Sequence, residues 1–482
     1  MKKNNYLKLL TIFIINSFLL SGCAGIAPSP INADIKSGNF KEVALAADKE
    51  KDFKSKLDES NQLPTLYAGN SYLYIKQYKK SLQRLDEAEK IIKFHNEEIL
   101  FGKSGDLIAQ LLLNDAVIDY HASMTDSIMV NTYKAIDYMA LGEMGNARIE
   151  FNRAIDRQRR AKETYAKMVR KVKKAIKEKE KQEKKEIAKI NKKASKSKTS
   201  QPELFMDVGK NTKNPEIKNM ISKKYPALNT YAIYPNFINP FTNYLAGIFF
   251  ITQKDYKKAA TLLRETHKML PKNKTVKSDY KFVKDILNGK KRQLHNVWIV
   301  YSNGLAPKRE EFKIDIPMYL ISNKVLYTGI ALPKMKLQNL ATQNLSVFSK
   351  NKLMKTTQLL SDMDKVILTE FKYKYDDIVY RAVFGALIKT YMQYEVKRRG
   401  GDLYGLAAGF IQKALTKADT RSWTNLPKEY QLAKIKMPTS KQIRLKVGAE
   451  NINIDLKNAK NAIIFVRKTT PSAKVNYNII KL

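Results

Sequence analysis

The sequence predicts a mixed α+β protein, with an N-terminal α-solenoid of repeated helices and a C-terminal part rich in strands. Apolar residues recur about every 3.6 positions as far as residue 288 and about every second position beyond it. A lysine-rich stretch at 156–200 lacks glycine and proline, which predicts a long basic helical arm. We therefore expect helical repeats at 34–155, a basic helical arm and flexible linker at 156–224, a further helical repeat at 225–288 and an α+β domain at 289–482.

The N-terminus has the form of a secretory signal. Lysines precede an apolar run, Leu9–Leu20, which is shorter than the roughly 20 residues that a transmembrane helix needs. The next residues complete Leu20-Ser21-Gly22-Cys23, and Cys23 is the single cysteine of the chain. This run resembles the lipobox of bacterial lipoproteins. The resemblance implies that residues 1–22 are a removed signal peptide and that Cys23 is lipidated; the alternative is an ordinary buried cysteine.

The residue after the cysteine bears on location. The resemblance implies that aspartate at this position would retain a lipoprotein at the inner membrane, whereas this chain has Ala24. We therefore expect an outer-membrane lipoprotein facing the periplasm. Residues 23–33 contain two prolines and a glycine and are expected to form a short flexible tether.

Three segments share a pattern of small and large apolar residues. The shared offsets are 0, 3, 12, 16 and 19, and the pattern matches tetratricopeptide repeats. A small residue lets two antiparallel helices approach closely, and the aromatic three positions later fills the groove beside it. An ordinary helical bundle is the alternative, and a degenerate copy is expected near Leu100–Tyr120. The three copies are Gly69, Tyr72, Ser81, Leu85 and Ala88; Ala135, Tyr138, Ala147, Phe151 and Ala154; and Gly247, Phe250, Ala259, Leu263 and Thr266.

The chain is strongly basic, with a formal net charge of +42, and the arm concentrates this charge. Such a charge is typical of nucleic-acid binding, but the export signal argues against that partner. Lys171, Lys173 and Lys174 are candidate contacts to an anionic surface such as peptidoglycan or lipopolysaccharide. The alternative is a solvated charged helix whose composition has no binding role.

The sequence of the C-terminal part predicts strands on either side of a pair of helices. Asn303-Gly304 predicts a hairpin turn after a strand at Val297–Tyr301, and Asn323-Lys324 predicts a second hairpin. A helix is expected to begin near Asp376-Asp377, and a second near Asp402. The remaining predicted strands are Phe312–Ile316, Met318–Ile321, Val325–Tyr327, Leu345–Phe348, Tyr430–Ile435, Ile443–Val447, Ile452–Leu456 and Ile463–Arg467.

A loop at Asp419–Pro427 is the best candidate binding site. Arg421 could bind a carboxylate with both guanidinium nitrogens, Trp423 could stack on a sugar ring, and Asp419 could orient the arginine. The alternative is an internal brace, in which Asp419 pairs with Arg421 and Trp423 is buried. We favour the brace, because the loop joins a helix to the closing strands and carries no neighbouring general acid or base signature.

The sequence offers no pattern for catalysis. The four histidines are scattered without metal-ligand spacing, and no nucleophile motif or phosphate-binding glycine loop occurs. We therefore expect no metal, no cofactor and no enzymatic activity.

The chain resembles a family of uncharacterised tetratricopeptide-repeat-like lipoproteins of Gram-negative bacteria. Three stretches carry the resemblance: Asn239-Pro240-Phe241 with Tyr244 and Gly247, Asn303–Lys308, and Asp419–Trp423 with Leu426-Pro427. It implies association with the cell envelope and no established reaction. The expected function is thus a lipid-anchored periplasmic scaffold that binds other proteins during envelope assembly. The alternative is a module that binds peptidoglycan or another anionic glycan.

Overall fold

The computed structural model describes residues 30–50, 62–101, 120–161, 215–230, 238–317, 327–375 and 418–482, with isolated positions between these ranges. The protein is a mixed α+β structure, as predicted. Its helices are α1 (Pro30–Ser37), α2 (Phe40–Glu50), α3 (Gln62–Tyr74), α4 (Tyr78–Phe101), α5 (Met124–Ala140), α6 (144–161), α7 (Pro215–Lys224), α8 (Ala227–Thr230), α9 (Pro240–Thr252), α10 (Tyr256–Met269), α11 (Lys274–Leu287) and α12 (363–375).

The strands form three sheets. They are β1 (Asn296–Asn303), β2 (Lys308–Pro317), β3 (Tyr327–Lys336), β4 (Leu345–Ser349), β5 (Lys352–Thr356), β6 (Gln358–Asp362), β7 (Glu429–Lys436), β8 (Gln442–Val447), β9 (Glu450–Asp455), β10 (Ala462–Lys468) and β11 (Asn476–Lys481). The five-stranded sheet has the order β11-β10-β1-β7-β6, in which β1 and β10 are parallel. The four-stranded sheet is β5-β4-β8-β9, and β2 pairs with β3 alone.

Side chains alternate between the two faces of the five-stranded sheet, and both faces are covered. The result is three layers: the helices, the five-stranded sheet and the four-stranded sheet. Val297, Ile299 and Tyr301 face the four-stranded sheet and pack with Leu345 and Leu445 in one buried cluster. Intervening residues face the opposite way, toward the helices. There Trp298, Val300, Leu432, Ile463 and Phe465 join a second cluster that also contains Val43, Leu66, Tyr133 and Phe249 of the helices. The helical half and the strand half, which the sequence separates at 288/289, therefore share one core.

The three predicted repeat copies are helix pairs with one turn geometry. In each, a residue seven positions after the small residue has positive φ: Lys76 at 64°, Gly142 at 79° and Lys254 at 60°. In each, two backbone amides close the same pair of hydrogen bonds that ends a helix in the left-handed conformation. Written as amide donor to carbonyl acceptor, the bonds are Lys76 to Leu73 and Gln77 to Tyr72 in the first pair, Gly142 to Met139 and Glu143 to Tyr138 in the second, and Lys254 to Ile251 and Asp255 to Phe250 in the third.

The glycine of a repeat permits close approach of its two helices. A Cβ added at Gly69 would lie 2.5 Å from Leu85 Cδ2, and one added at Gly247 would lie 2.8 Å from Leu263 Cγ. Both leucines are fully buried. The sequence pattern of a small residue opposite a large one thus has its expected packing role in two of the three pairs.

Two predicted linkers are partly helical, which corrects the sequence analysis. Helix α1 begins at Pro30, so the tether expected at 23–33 is too long; Ile31 and Ile35 are buried and give this helix an apolar face. Residues 215–224, expected within a flexible linker, form α7, whose Ile221 is buried. Short apolar faces in polar surroundings gave too weak a periodic signal for a helix to be predicted.

Two predictions for the C-terminal part are also wrong. The chain does turn at Gly304, with φ of 68°, but β1 pairs with β7 and β10 rather than with β2, so this turn does not make a hairpin. Helix α12 begins at residue 363, well before Asp376-Asp377. Strands β2 and β3 pair antiparallel, but Asn323-Lys324 and most of the strand residues expected beside this turn lie outside the described residues. The helix expected from Asp402 and the degenerate repeat near 100–120 lie largely outside the described residues.

The two ends of the described chain meet. Thr469 and Thr470 hydroxyls donate to the carbonyl of Lys36, at 3.0 and 2.8 Å. The Lys474 amide donates to the carbonyl of Ser37 at 3.0 Å. These bonds satisfy carbonyls at the C-terminal end of α1, which otherwise have no partner within the helix. The loop between β10 and β11 therefore fixes the place where the N-terminal segment joins the folded body.

Candidate functional site

The tryptophan loop, residues 419–427, leads into β7 and lies against the helices. Trp423 is only 2% exposed. Its ring meets the ring of Tyr133 on α5 edge to face, with centroids 5.8 Å apart. A buried ring of this kind cannot stack on a sugar that arrives from solvent.

Asp419 and Arg421 pair with each other, which is the geometry of the brace interpretation. Arg421 Nε donates to Asp419 Oδ1 at 2.9 Å, and the Arg421 amide donates to the same oxygen at 3.0 Å. Arg309 of β2 approaches the other carboxylate oxygen, with Nη1 3.8 Å from Oδ2. Asp419 therefore lies between two cations, and Arg421 uses its Nε and its backbone amide to hold this carboxylate.

Helix α3 holds the centre of the loop through side chains on its inner face. Tyr67 Oη donates to the carbonyl of Ser422 at 2.8 Å and lies 2.9 Å from Thr424 Oγ1. Asn425 Nδ2 donates to Asn70 Oδ1 at 2.6 Å. Asn70 and Asn425 are fully buried. This face of α3 is thus occupied by the chain's own loop.

Arg467 of β10 fastens the loop from the other side. Its side chain is 1% exposed, and its guanidinium donates to the carbonyls of Ser302, Gly304, Lys468 and Asn425. The charged group lies 5.8 Å from the ring centroid of Tyr74. Four carbonyls accept from Nη1 and Nη2, which offsets much of the cost of burying the charge, while Nε has no hydrogen-bond partner among the described residues.

Three tyrosine hydroxyls gather beside this arginine, but they are protected from ionisation. Tyr133 Oη and Tyr430 Oη lie 2.8 Å apart, and Tyr74 Oη is 3.4 Å from Tyr133 Oη. Burial raises the pKa values of Tyr133 and Tyr430 well above their usual range. The cavity that these rings line with Arg467 measures about 10 Å³, room for about one water molecule. The cluster suits packing rather than chemistry on an organic substrate.

Of the candidate lysines in the basic arm, Lys171 and Lys173 lie outside the described residues. Lys174 is helical and exposed, and its Nζ lies 3.9 Å from Oε1 of Glu178, one turn further along the helix. Such a contact between exposed groups contributes little to stability. The position of Lys174 is thus compatible with either interpretation of the arm.

A second basic surface was missed by the sequence analysis. On α11 the lysine row, defined as Lys274, Lys277, Lys281 and Lys284, is exposed along one side of the helix. The opposite side buries Val276, Asp279 and Val283. The spacing of three, four and three residues was visible in the sequence, but it did not stand out in a chain with lysine throughout.

The described residues contain no group of three or more potential metal ligands, and none of the described helices is long and apolar enough to cross a membrane. Comparison with protein-family models, curated proteins and solved structures found no match to this chain. The resemblance in sequence motifs therefore remains an expectation, and the function has to be argued from the chain itself.

Proposed function

We propose that this protein is a lipid-anchored scaffold of the cell envelope, held at the outer membrane and facing the periplasm, which binds other envelope proteins. The observation that carries the proposal is the Leu20-Ser21-Gly22-Cys23 run behind a secretory signal. Lipidation of Cys23 would tether the folded body closely. Seven residues from Cys23 reach Pro30, where α1 begins, and they span at most about 25 Å when fully extended.

The proposed scaffold uses its helix pairs as a tetratricopeptide-like solenoid. The common offsets and the common turn geometry of three helix pairs support this part of the proposal. Since the tryptophan loop occupies the inner face of α3, a partner would bind the outer faces or the basic arm. The proposal assigns no reaction and no cofactor to the chain.

The anchor is tested by Cys23→Ser in the producing cell. The substituted chain should lose lipid from its N-terminus, as measured by mass spectrometry, and should leave the detergent phase on partitioning. An unchanged mass and an unchanged membrane fraction would contradict the proposal. The scaffold role is tested by cross-linking intact envelopes and purifying the complexes. We expect wild type to recover the same envelope protein each time. A chain whose charged residues on the outer helix faces have been replaced should not recover it.

The alternative is a module that binds peptidoglycan or another anionic glycan. The net charge of +42 and the arm with its 19 basic and 6 acidic residues at 156–200 favour this candidate. Deletion of Lys171–Lys198 should then lower retention on purified cell-wall sacculi and reduce its dependence on salt. Unchanged retention and an unchanged salt dependence would remove the alternative.

A further inference from the structure

Helix α11 presents charge that the described part of the chain does not neutralise. The segment 268–292 contains nine Lys or Arg residues and two acidic residues, Asp279 and Asp285. Among the described residues, no carboxylate forms an ion pair with Lys274, Lys277 or Lys284. The two acids of the segment are occupied elsewhere, so most of the lysine row faces solvent with its charge uncompensated.

Asp279 is turned inward and fixes the helix to the sheet. It is 1% exposed, and its carboxylate accepts from Tyr244 Oη at 2.5 Å, Trp298 Nε1 at 3.2 Å and Lys434 Nζ at 2.5 Å. Asn273 caps the start of the helix, since its Oδ1 accepts from the amides of Thr275 and Val276 at 3.0 Å. The helix that carries the lysine row is therefore held rigidly.

Asp285 is surrounded by three cations. Arg292 Nη2 lies 2.6 Å from its carboxylate, and Lys290 and Lys281 follow at 3.4 and 3.5 Å. The hydrogen bond from Arg292 lowers the pKa of Asp285. This single negative charge cannot also neutralise the rest of the row, because the three cations beside it already carry three positive charges.

We propose that the lysine row is a docking surface for the phosphate headgroups of an anionic phospholipid membrane. The ends of the row are ten residues apart, which is about 15 Å along the helix, so its charges can meet several headgroups at once. Lysine is a compact point charge that does not demand a fixed direction of approach. That property suits a fluid array of headgroups, whereas a glycan strand needs directed hydrogen bonds and an open aromatic ring.

The row offers neither requirement for a glycan. The two aromatic residues of α11, Tyr280 and Phe282, are only partly exposed. Tyr280 packs on His267 with ring centroids 5.9 Å apart and has Lys284 Nζ over its ring. Ser278 is the exposed neutral polar side chain beside the row. A lipid surface is thus the better match. It would add a second membrane contact to the proposed lipid anchor, and the biological setting of this docking surface rests on that anchor.

The test uses the full-length chain with Cys23→Ser, so that no acyl chain contributes to binding. Co-sedimentation is measured with vesicles of phosphatidylglycerol and phosphatidylethanolamine and with vesicles of phosphatidylcholine alone. We expect binding to the anionic vesicles only. Substitution of Lys274, Lys277 and Lys284 by Gln should lower the association constant roughly 100-fold, as expected for three lysines near a charged membrane.

A matched variant separates this surface from the overall charge. Lys352, Lys446 and Lys460 are exposed on the four-stranded sheet and its loops, and their substitution by Gln removes the same charge. This variant should bind nearly as well as the Cys23→Ser chain, and thermal melts should be alike for all three proteins. Equal losses for both variants, or no binding to anionic vesicles, would overturn the proposal. Loss of sacculus retention with vesicle binding intact would instead identify a glycan site.

Discussion

At the scale of single residues, the tryptophan loop shows how burial decides between two roles. The sequence placed Asp419, Arg421 and Trp423 together and allowed either a binding platform or a brace. It could not supply Tyr67 and Tyr133, which hold the loop from helices far earlier in the chain. The role of a tryptophan depends on such distant contacts, so proximity in sequence identified the cluster but not its function.

Replacement of Trp423 should therefore cost stability. Trp423→Ala removes a ring that is 2% exposed and leaves a cavity, so we expect a loss of about 3–5 kcal/mol in the free energy of unfolding, measured with urea. Arg421→Lys serves as the milder comparison, since it keeps the charge and the partly exposed position. A Trp423→Ala chain that melts like wild type but loses a partner would show that the loop is a binding site.

At the scale of elements, the sequence predicted three helix pairs correctly because the signal of each pair is local. The small residue, the aromatic and the turn all lie within one helix pair. The predicted pairing of β1 with β2 was wrong because the true pairing is not local. Its partners β7 and β10 are more than 120 residues away, and a turn signal at Gly304 says nothing about them.

The close approach of α3 and α4 leads to a prediction at Gly69. In Gly69→Ala the new methyl group would overlap Leu85, which is fully buried and has little room to move. We expect a loss of about 1–3 kcal/mol by urea unfolding. The control is Gly145→Ala at the start of α6, where no atom lies within 4 Å of the added Cβ and a gain of up to about 1 kcal/mol is expected.

Adding Leu85→Val to Gly69→Ala should recover part of the loss, since it removes atoms at the point of overlap. If Gly69→Ala is as stable as Gly145→Ala, the glycine is not required for helix approach.

The start of α5 gives a pH-dependent prediction. Glu370 of α12 accepts hydrogen bonds from the amides of Met124 and Thr125, at 2.9 and 3.0 Å. Burial alone would raise the pKa of Glu370, but Lys374 and these amides outweigh it and lower the pKa. The folded state therefore favours the ionised group, and this stabilisation is present above the unfolded pKa, about 4.3, and is lost as the pH falls through the folded value.

We expect Glu370→Gln to cost about 1–3 kcal/mol at pH 7, since an uncharged amide binds the helix start less strongly. The difference from wild type should shrink as the pH is lowered from about 5 to about 3. Urea unfolding of both chains across this range measures it. A difference that stays constant with pH would show that Glu370 is not ionised in the folded protein.

At the scale of the whole molecule, the helices and the five-stranded sheet bury their apolar faces against each other. Composition and periodicity predicted two halves with a boundary at 288/289, because the period of the apolar residues changes there. Yet Trp298, Tyr430 and Phe465 of the sheet lie in the same cluster as Phe40, Tyr133 and Phe241 of the helices. A change in secondary structure marks a change of layer here, not the end of a core.

A shared core predicts that both halves unfold together. Leu85 in α4 and Leu445 in β8 are both fully buried, on opposite sides of the five-stranded sheet. Leu85→Ala and Leu445→Ala should each cost about 2–5 kcal/mol, and both should lower the midpoint of one common transition. Differential scanning calorimetry, with helix content by circular dichroism and tryptophan fluorescence as separate probes, measures this. Two transitions, each moved by only one of the variants, would mean that the helices and the sheets are independent domains, because a cluster that truly couples them cannot lose one side while the other stays folded.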